Sequence, residues 1–118
     1  MNNIIERTWN RNSMVTIEDL RGMAFQDEEN AHTFRIRGVN DNGEPVALSG
    51  TVSANFLRGD NTDVPVTGSI TDGAAVVTLP AACYEIQGRF RFTIFLTSSG
   101  QKVAIYAAMG SVQGTTSN

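Results

Sequence analysis

Gly88-Arg89-Phe90-Arg91-Phe92-Thr93-Ile94-Phe95-Leu96-Thr97 sets Phe90, Phe92, Ile94 and Leu96 on one side of an extended chain and turns Arg89 and Arg91 to the other. Successive side chains of a strand point to opposite faces, so this stretch predicts a β-strand with one face in a core and one in water. Ser98-Ser99-Gly100-Gln101 is turn chemistry, and Lys102 to Val112 predicts the returning strand, with Val103, Ile105, Ala107 and Met109 on one side. Working back, Ala31 to Val39 alternates His32, Phe34 and Ile36 against Thr33, Arg35 and Arg37. Asn40-Asp41-Asn42-Gly43 follows as a tight turn, and Pro45 restricts the next segment to an edge or a strand start. Val52, Ala54 and Phe56 alternate with Thr51, Ser53 and Asn55 to predict another strand. Gly59-Asp60-Asn61-Thr62-Asp63 is the turn after it, Val64 to Ile70 a short strand, Thr71-Asp72-Gly73 a further turn, and Val76, Val77 and Leu79 close a hairpin. Short strands parted by turn signals about every 8 to 12 residues are the pattern of an all-β sandwich or barrel.

The composition agrees. The chain has 118 residues, enough for one core between two layers but marginal for two separate domains. Eleven glycines against a single lysine favour turns between short strands over helical surfaces. Hydrophobic residues make up 41% and charged residues 18%, a globular balance, and no apolar run approaches the length of a membrane span. The net charge of −3 gives no general reason to expect nucleic-acid binding. Cys83 is the only cysteine, so no internal disulfide is expected and it reads as a small buried residue. The N-terminus lacks the apolar core of a secretion signal, so the expected place of synthesis and release is a cytoplasm.

Residues 1–30 read as an N-terminal arm with one helical turn, residues 31–112 as the sandwich (its first strand starting as early as residue 14), and residues 113–118 as a polar tail. The helical turn is predicted over Ile17 to Gly22, with Thr16 as cap, Glu18 and Asp19 in the first turn and Gly22 at the end. Within the arm, Trp9 stands between Arg7, Asn10 and Arg11 in an otherwise acidic chain. Trp9 is either an anchor for a neighbouring subunit, since large aromatics carry much interface energy, or a plug at one end of the sandwich. Arg35, Arg37, Arg89 and Arg91 project outward in two pairs. If their strands share a sheet they form a positive stripe facing acidic groups of a partner or another copy, and otherwise an ordinary solvated face.

No constellation points to catalysis. Asp27-Glu28-Glu29 precedes His32, but the spacing fits no metal motif, and His32 lies on the Phe34 and Ile36 side of its strand. Asp60, Asn61, Asp63 and Asp72 offer oxygen ligands for calcium but lack the EF-hand pattern, and turn chemistry accounts for them. One histidine and one cysteine without local motifs form no nucleophile and base pair, and no glycine-rich phosphate loop is present. The expectation is therefore no enzyme, no cofactor and no resident metal. A carbohydrate-binding module is the alternative from another class, with Trp9, Tyr84 and Tyr106 as its aromatic candidates.

Taken in order, Phe34-Arg-Ile-Arg-Gly-Val-Asn-Asp-Asn-Gly, Leu48-Ser-Gly-Thr-Val, Ile70-Thr-Asp-Gly, Val77-Thr-Leu-Pro and Gly88-Arg-Phe-Arg-Phe-Thr-Ile resemble the N-terminal domain of upper baseplate proteins of tailed bacteriophages, from about residue 14 to 112. The shared features are strand and turn patterns. The resemblance implies an immunoglobulin-like antiparallel β-sandwich that attaches a receptor-binding apparatus to the virion, with other phage virion proteins as partners, multiple copies or a homo-oligomer, and neither nucleic acid nor membrane. It carries no catalytic residues. The chain departs from the family pattern by ending at Asn118, where upper baseplate proteins continue into helical or fibre-forming segments. A capsid decoration protein or the base of a head fibre is the other virion position compatible with the same fold.

Overall fold

The computed structural model describes residues 3–25 and 32–114. Ten strands run through them: β1 Asn3–Trp9, β2 Ile17–Phe25, β3 His32–Val39, β4 Pro45–Val46, β5 Thr51–Leu57, β6 Asp63–Thr67, β7 Ser69–Thr71, β8 Ala74–Thr78, β9 Gly88–Ser98 and β10 Gln101–Gln113. Ala81–Tyr84 forms a 3-10 turn after Pro80, whose ring cannot continue the β8 ladder. Two sheets result, one ordered β1-β3-β8-β7 with β4 on the end of β3, the other β2-β10-β9-β5-β6. The orders β3-β8-β7 and β10-β9-β5-β6 correspond to B-E-D and G-F-C-C′ of an immunoglobulin sandwich. The chain is thus an all-β sandwich in a single domain.

The inner faces are those that the alternation marks. Phe34, Ile36 and Val77 from one sheet meet Val52, Phe56, Phe92 and Ile94 from the other, each no more than 1% exposed. Aromatic rings knit the layers, with Phe34 and Phe92 centroids 4.8 Å apart and Phe34 and Tyr106 5.5 Å apart, while Phe56 stacks on Phe90 at 4.6 Å within the second sheet. Each fully buried ring of this kind contributes about 2–3 kcal/mol by removal from water, before any gain from ring geometry.

Three expectations are corrected. Residues 17–22 are not a helical turn but the start of β2, running parallel to β10 with Ile17 opposite Ala107 and Leu20 opposite Gly110. A helical nucleus of six residues is costly alone, whereas the open edge of β10 offers a ready ladder. Gly110 permits the close approach, since a Cβ there would stand 2.8 Å from the Phe90 ring and 2.9 Å from the Leu20 carbonyl. Residues 3–9 are likewise part of the domain, not an arm, because β1 pairs in parallel with β3 from Asn3 opposite His32 to Trp9 opposite Gly38. The sheets are therefore antiparallel throughout the centre but bounded by two parallel strands.

The third correction concerns β10. Its register with β9 shifts between Ala104 and Tyr106, so Ile105 and Tyr106 are both buried. This extra residue is a β-bulge, and it reverses the alternation beyond it. Ala108 and Val112 consequently face the core, while Met109 is 44% exposed. Val103, Ile105, Ala107 and Met109 do not share one face.

Candidate functional site

The seven residues singled out above fall into three places. The first is the N-terminal segment, where β1 ends one sheet and β2 ends the other, so any polar contact between them fastens both layers. Arg7 Nε donates to Glu18 Oε1 at 2.8 Å and Arg7 Nη2 to Glu18 Oε2 at 2.6 Å. The Tyr106 hydroxyl donates to the same Oε1 at 2.8 Å. One carboxylate on β2 therefore ties β1 to β10. The hydrogen bonds from Arg7, then that from Tyr106, hold the Glu18 carboxyl below its usual range, while burial and then Glu18 itself push the Tyr106 phenol up.

Trp9 is half-buried and packs against the core with the rest of its ring exposed. Arg11 is exposed in the β1–β2 turn. That turn is fixed instead by its asparagines, as the Asn10 amide donates to Asp41 Oδ1 at 2.9 Å and the Asn12 amide to Asp41 Oδ2 at 3.3 Å. These two contacts lower the Asp41 pKa.

The arginine pairs separate. Arg35 and Arg37 are on β3 in the first sheet, Arg89 and Arg91 on β9 in the second, so a single four-residue stripe does not form. Outward alternation is a property of each strand, whereas sheet membership depends on the whole topology. Arg35 Nε lies 3.6 Å from Glu6 Oε1 on the adjoining β1, and Arg37 is exposed. Arg89 and Arg91 are both exposed at the rim of a cleft of about 700 Å³ lined also by Asp19, Leu57, Arg58 and Met109.

The histidine and the cysteine weighed above lie inside. His32 is 2% exposed, with Nδ1 2.9 Å from the Tyr84 hydroxyl. Tyr84 and Cys83 are fully buried, and burial pushes the Cys83 thiol up to about 12, leaving it protonated at neutral pH. Asp27, Glu28 and Glu29, considered above beside His32, lie outside the described residues, as does the tail from 115.

The acidic turn is structural. Asp60 accepts from Arg58 Nη2 at 2.8 Å and Nε at 3.2 Å, and from the Thr62 amide at 3.1 Å, so its carboxyl falls to about 2, chiefly through Arg58. Asn61 and Asp72 adopt positive φ, at 64° and 52°, as tight turns require. Among the described residues no three His, Cys, Asp or Glu side chains come together as a metal would need.

Of the aromatic candidates for carbohydrate, Tyr84 is sealed in the core, and Trp9 and Tyr106 line a smaller cleft of about 360 Å³ with Asn10, Ser13 and Met14. No exposed aromatic platform is formed by the three. Sequence reading missed Arg58, which besides Asp60 donates from Nη1 to Glu85 Oε1 at 3.0 Å and to the Ala82 carbonyl at 3.2 Å. The Arg58-x-Asp60 spacing within a turn was the available signal.

No protein-family model matches the chain, and no curated protein matches it in sequence. Among solved structures the chain is similar to the N-terminal domain of phage TP901-1 ORF48, at 12% identity and a TM-score of 0.44, over 94% of this chain and 97% of that one.

Proposed function

We propose that this chain is a structural module of a bacteriophage particle, which attaches to or connects other virion proteins in a baseplate or tail adaptor and catalyses no reaction. The observation that carries the reading is the division of side chains between inside and outside. His32, Cys83 and Tyr84 are withdrawn into the core, whereas the exposed outer faces and edges offer arginines and isolated apolar side chains such as Ile4 at 64%, Met14 at 89% and Ile17 at 62% exposure. Arginine and apolar groups on rigid strands are the material of protein interfaces. The order of strand and turn motifs shared with upper baseplate proteins supports the same reading from the sequence side.

In a particle, many copies face repeated sites, so modest affinity at each contact is multiplied by the effective concentration of its neighbours. Mass spectrometry of gradient-purified particles, together with electron microscopy of particles labelled by an antibody to this chain, tests the proposal. The expected result is a stoichiometric band and label on tail tips. Label on heads would move the module to capsid decoration or a head-fibre base, and absence of the chain from particles would refute a virion role.

A further inference from the structure

The cleft at the start of β9 contains positive charge that the fold itself does not use. Arg7, Arg35 and Arg58 each have a carboxylate within ion-pair distance, and Lys102 Nζ lies 4.6 Å from the Phe95 ring centroid. Among the described residues, the Arg89 and Arg91 side chains have neither a hydrogen bond nor an ion pair. Across the sheet, Arg91 stands between Met109 and Leu57, so its immediate flanks are apolar. Asp19 is opposite Met109 and Asp63 opposite Leu57, each one strand further out, which places them roughly 10 Å from the arginine position by the spacing of strands.

Two arginines on alternate residues of one strand leave the backbone about 7 Å apart, and their like charges repel each other. Resting on the virion-module reading above, we infer that this cleft receives an extended acidic segment of another virion protein, laid along β9 so that alternate carboxylates meet Arg89 and Arg91. An extended chain repeats its same-face side chains at the same distance of about 7 Å, so a Glu-x-Glu or Asp-x-Asp run matches both arginines at once. Each guanidinium fork takes a carboxylate in two parallel hydrogen bonds, and Met109 and Leu57 cover the methylene stems. A nucleic acid fits less well, because two arginines flanked by apolar Met109 and Leu57 do not make the extended basic stripe that a phosphate chain requires.

The test uses the full chain and a fluorescein-labelled (Glu-Ser)5 peptide, read by anisotropy at 20 mM and 150 mM salt, with (Lys-Ser)5 and a ten-nucleotide oligothymidine as comparators. The double variant Arg89→Gln/Arg91→Gln is set against the charge-matched Arg37→Gln/Lys102→Gln, with thermal melting of both to establish that they fold. The expected result is binding of (Glu-Ser)5 that weakens with salt and at least tenfold in Arg89→Gln/Arg91→Gln, but less than twofold in the matched control. Absence of binding, equal weakening in both variants, or tighter binding of oligothymidine overturns the assignment. Incorporation separates the two proposals: particles that take up Arg89→Gln/Arg91→Gln as well as wild type refute the cleft's role while keeping the virion module, whereas wild-type chain missing from particles refutes the module itself.

Discussion

Replacing Glu18 with alanine should cost about 2 kcal/mol of folding stability, and the figure follows from three contacts. Arg7 and Glu18 have side chains 42% and 32% exposed, so their ion pair, though bidentate, is screened and contributes about 0.5 kcal/mol. Tyr106 is 7% exposed, and without Glu18 its hydroxyl is left largely buried and unpaired, at a cost of about 1.5 kcal/mol. Tyr106→Phe keeps the ring against Phe34 and Phe92 and removes only the hydroxyl, costing about 1 kcal/mol. Because both changes delete the same bond, Glu18→Ala/Tyr106→Phe should cost about 2 kcal/mol, not the sum, giving a coupling near 1 kcal/mol. Urea unfolding followed by circular dichroism measures this: at a slope of about 2 kcal/mol per molar, Glu18→Ala moves the midpoint by about 1 M. A Glu18→Ala shift under about 0.3 kcal/mol, or strict additivity in the double variant, would show that residues 3–20 do not dock on the sandwich in solution.

Phe92→Ala, at a 1% exposed position touching Phe34, Phe56 and Tyr106, should lose about 3–5 kcal/mol; a melting temperature within a few degrees of wild type would contradict the described core. Glu18, Asp41 and Asp60 all have carboxyls held below their ordinary values of 4.5, 3.8 and 3.8, so the fold binds fewer protons than the unfolded chain and their stabilisation is present above about pH 4.5. Melting temperature should therefore fall as pH drops from 4.5 through about 2, the value for Asp60, and a flat profile over that range would refute the contacts. Cys83, fully buried with its thiol raised to about 12, should resist iodoacetamide at pH 8 in the native state and react once urea unfolds the chain; prompt native labelling would mean that the β8–β9 connection opens.

Most of the sandwich was legible in the sequence because its central strands are half-buried and follow the period of two with little interruption. Phe90 to Leu96 and His32 to Ile36 face inward as their spacing demands. The failures occurred where a distant partner decides. Nothing near Ile17 announces a strand, since Thr16, Glu18 and Gly22 have good local helix chemistry, and the ladder that overrides it comes from Ala107 to Gly110. The bulge at Ile105 is invisible to periodicity because an inserted residue looks like any other apolar position. Alternation turns Arg37, Arg89 and Arg91 to the exposed side while Arg35 is half-buried beside Glu6, but their grouping depends on β3 and β9 belonging to different sheets, and the cleft around Arg89 and Arg91 draws its other walls from β2, β5 and β10.

The pairing of Ile17 with Ala107 has a consequence for biogenesis. On a ribosome adding 5–20 residues per second, β2 waits roughly 5–20 s before its neighbour exists. Until Gln113 is translated, the layer containing β9 lacks the strand that joins it to β2, and the nascent molecule exposes adhesive backbone on both of those strands. Closure of that layer therefore waits for β10 and is governed by long-range loop entropy, slow on the scale of small helical domains. Conditions that lengthen the pause, such as low temperature or rare codons between the β2 and β10 stretches, should increase aggregation of nascent chains without altering the folded domain.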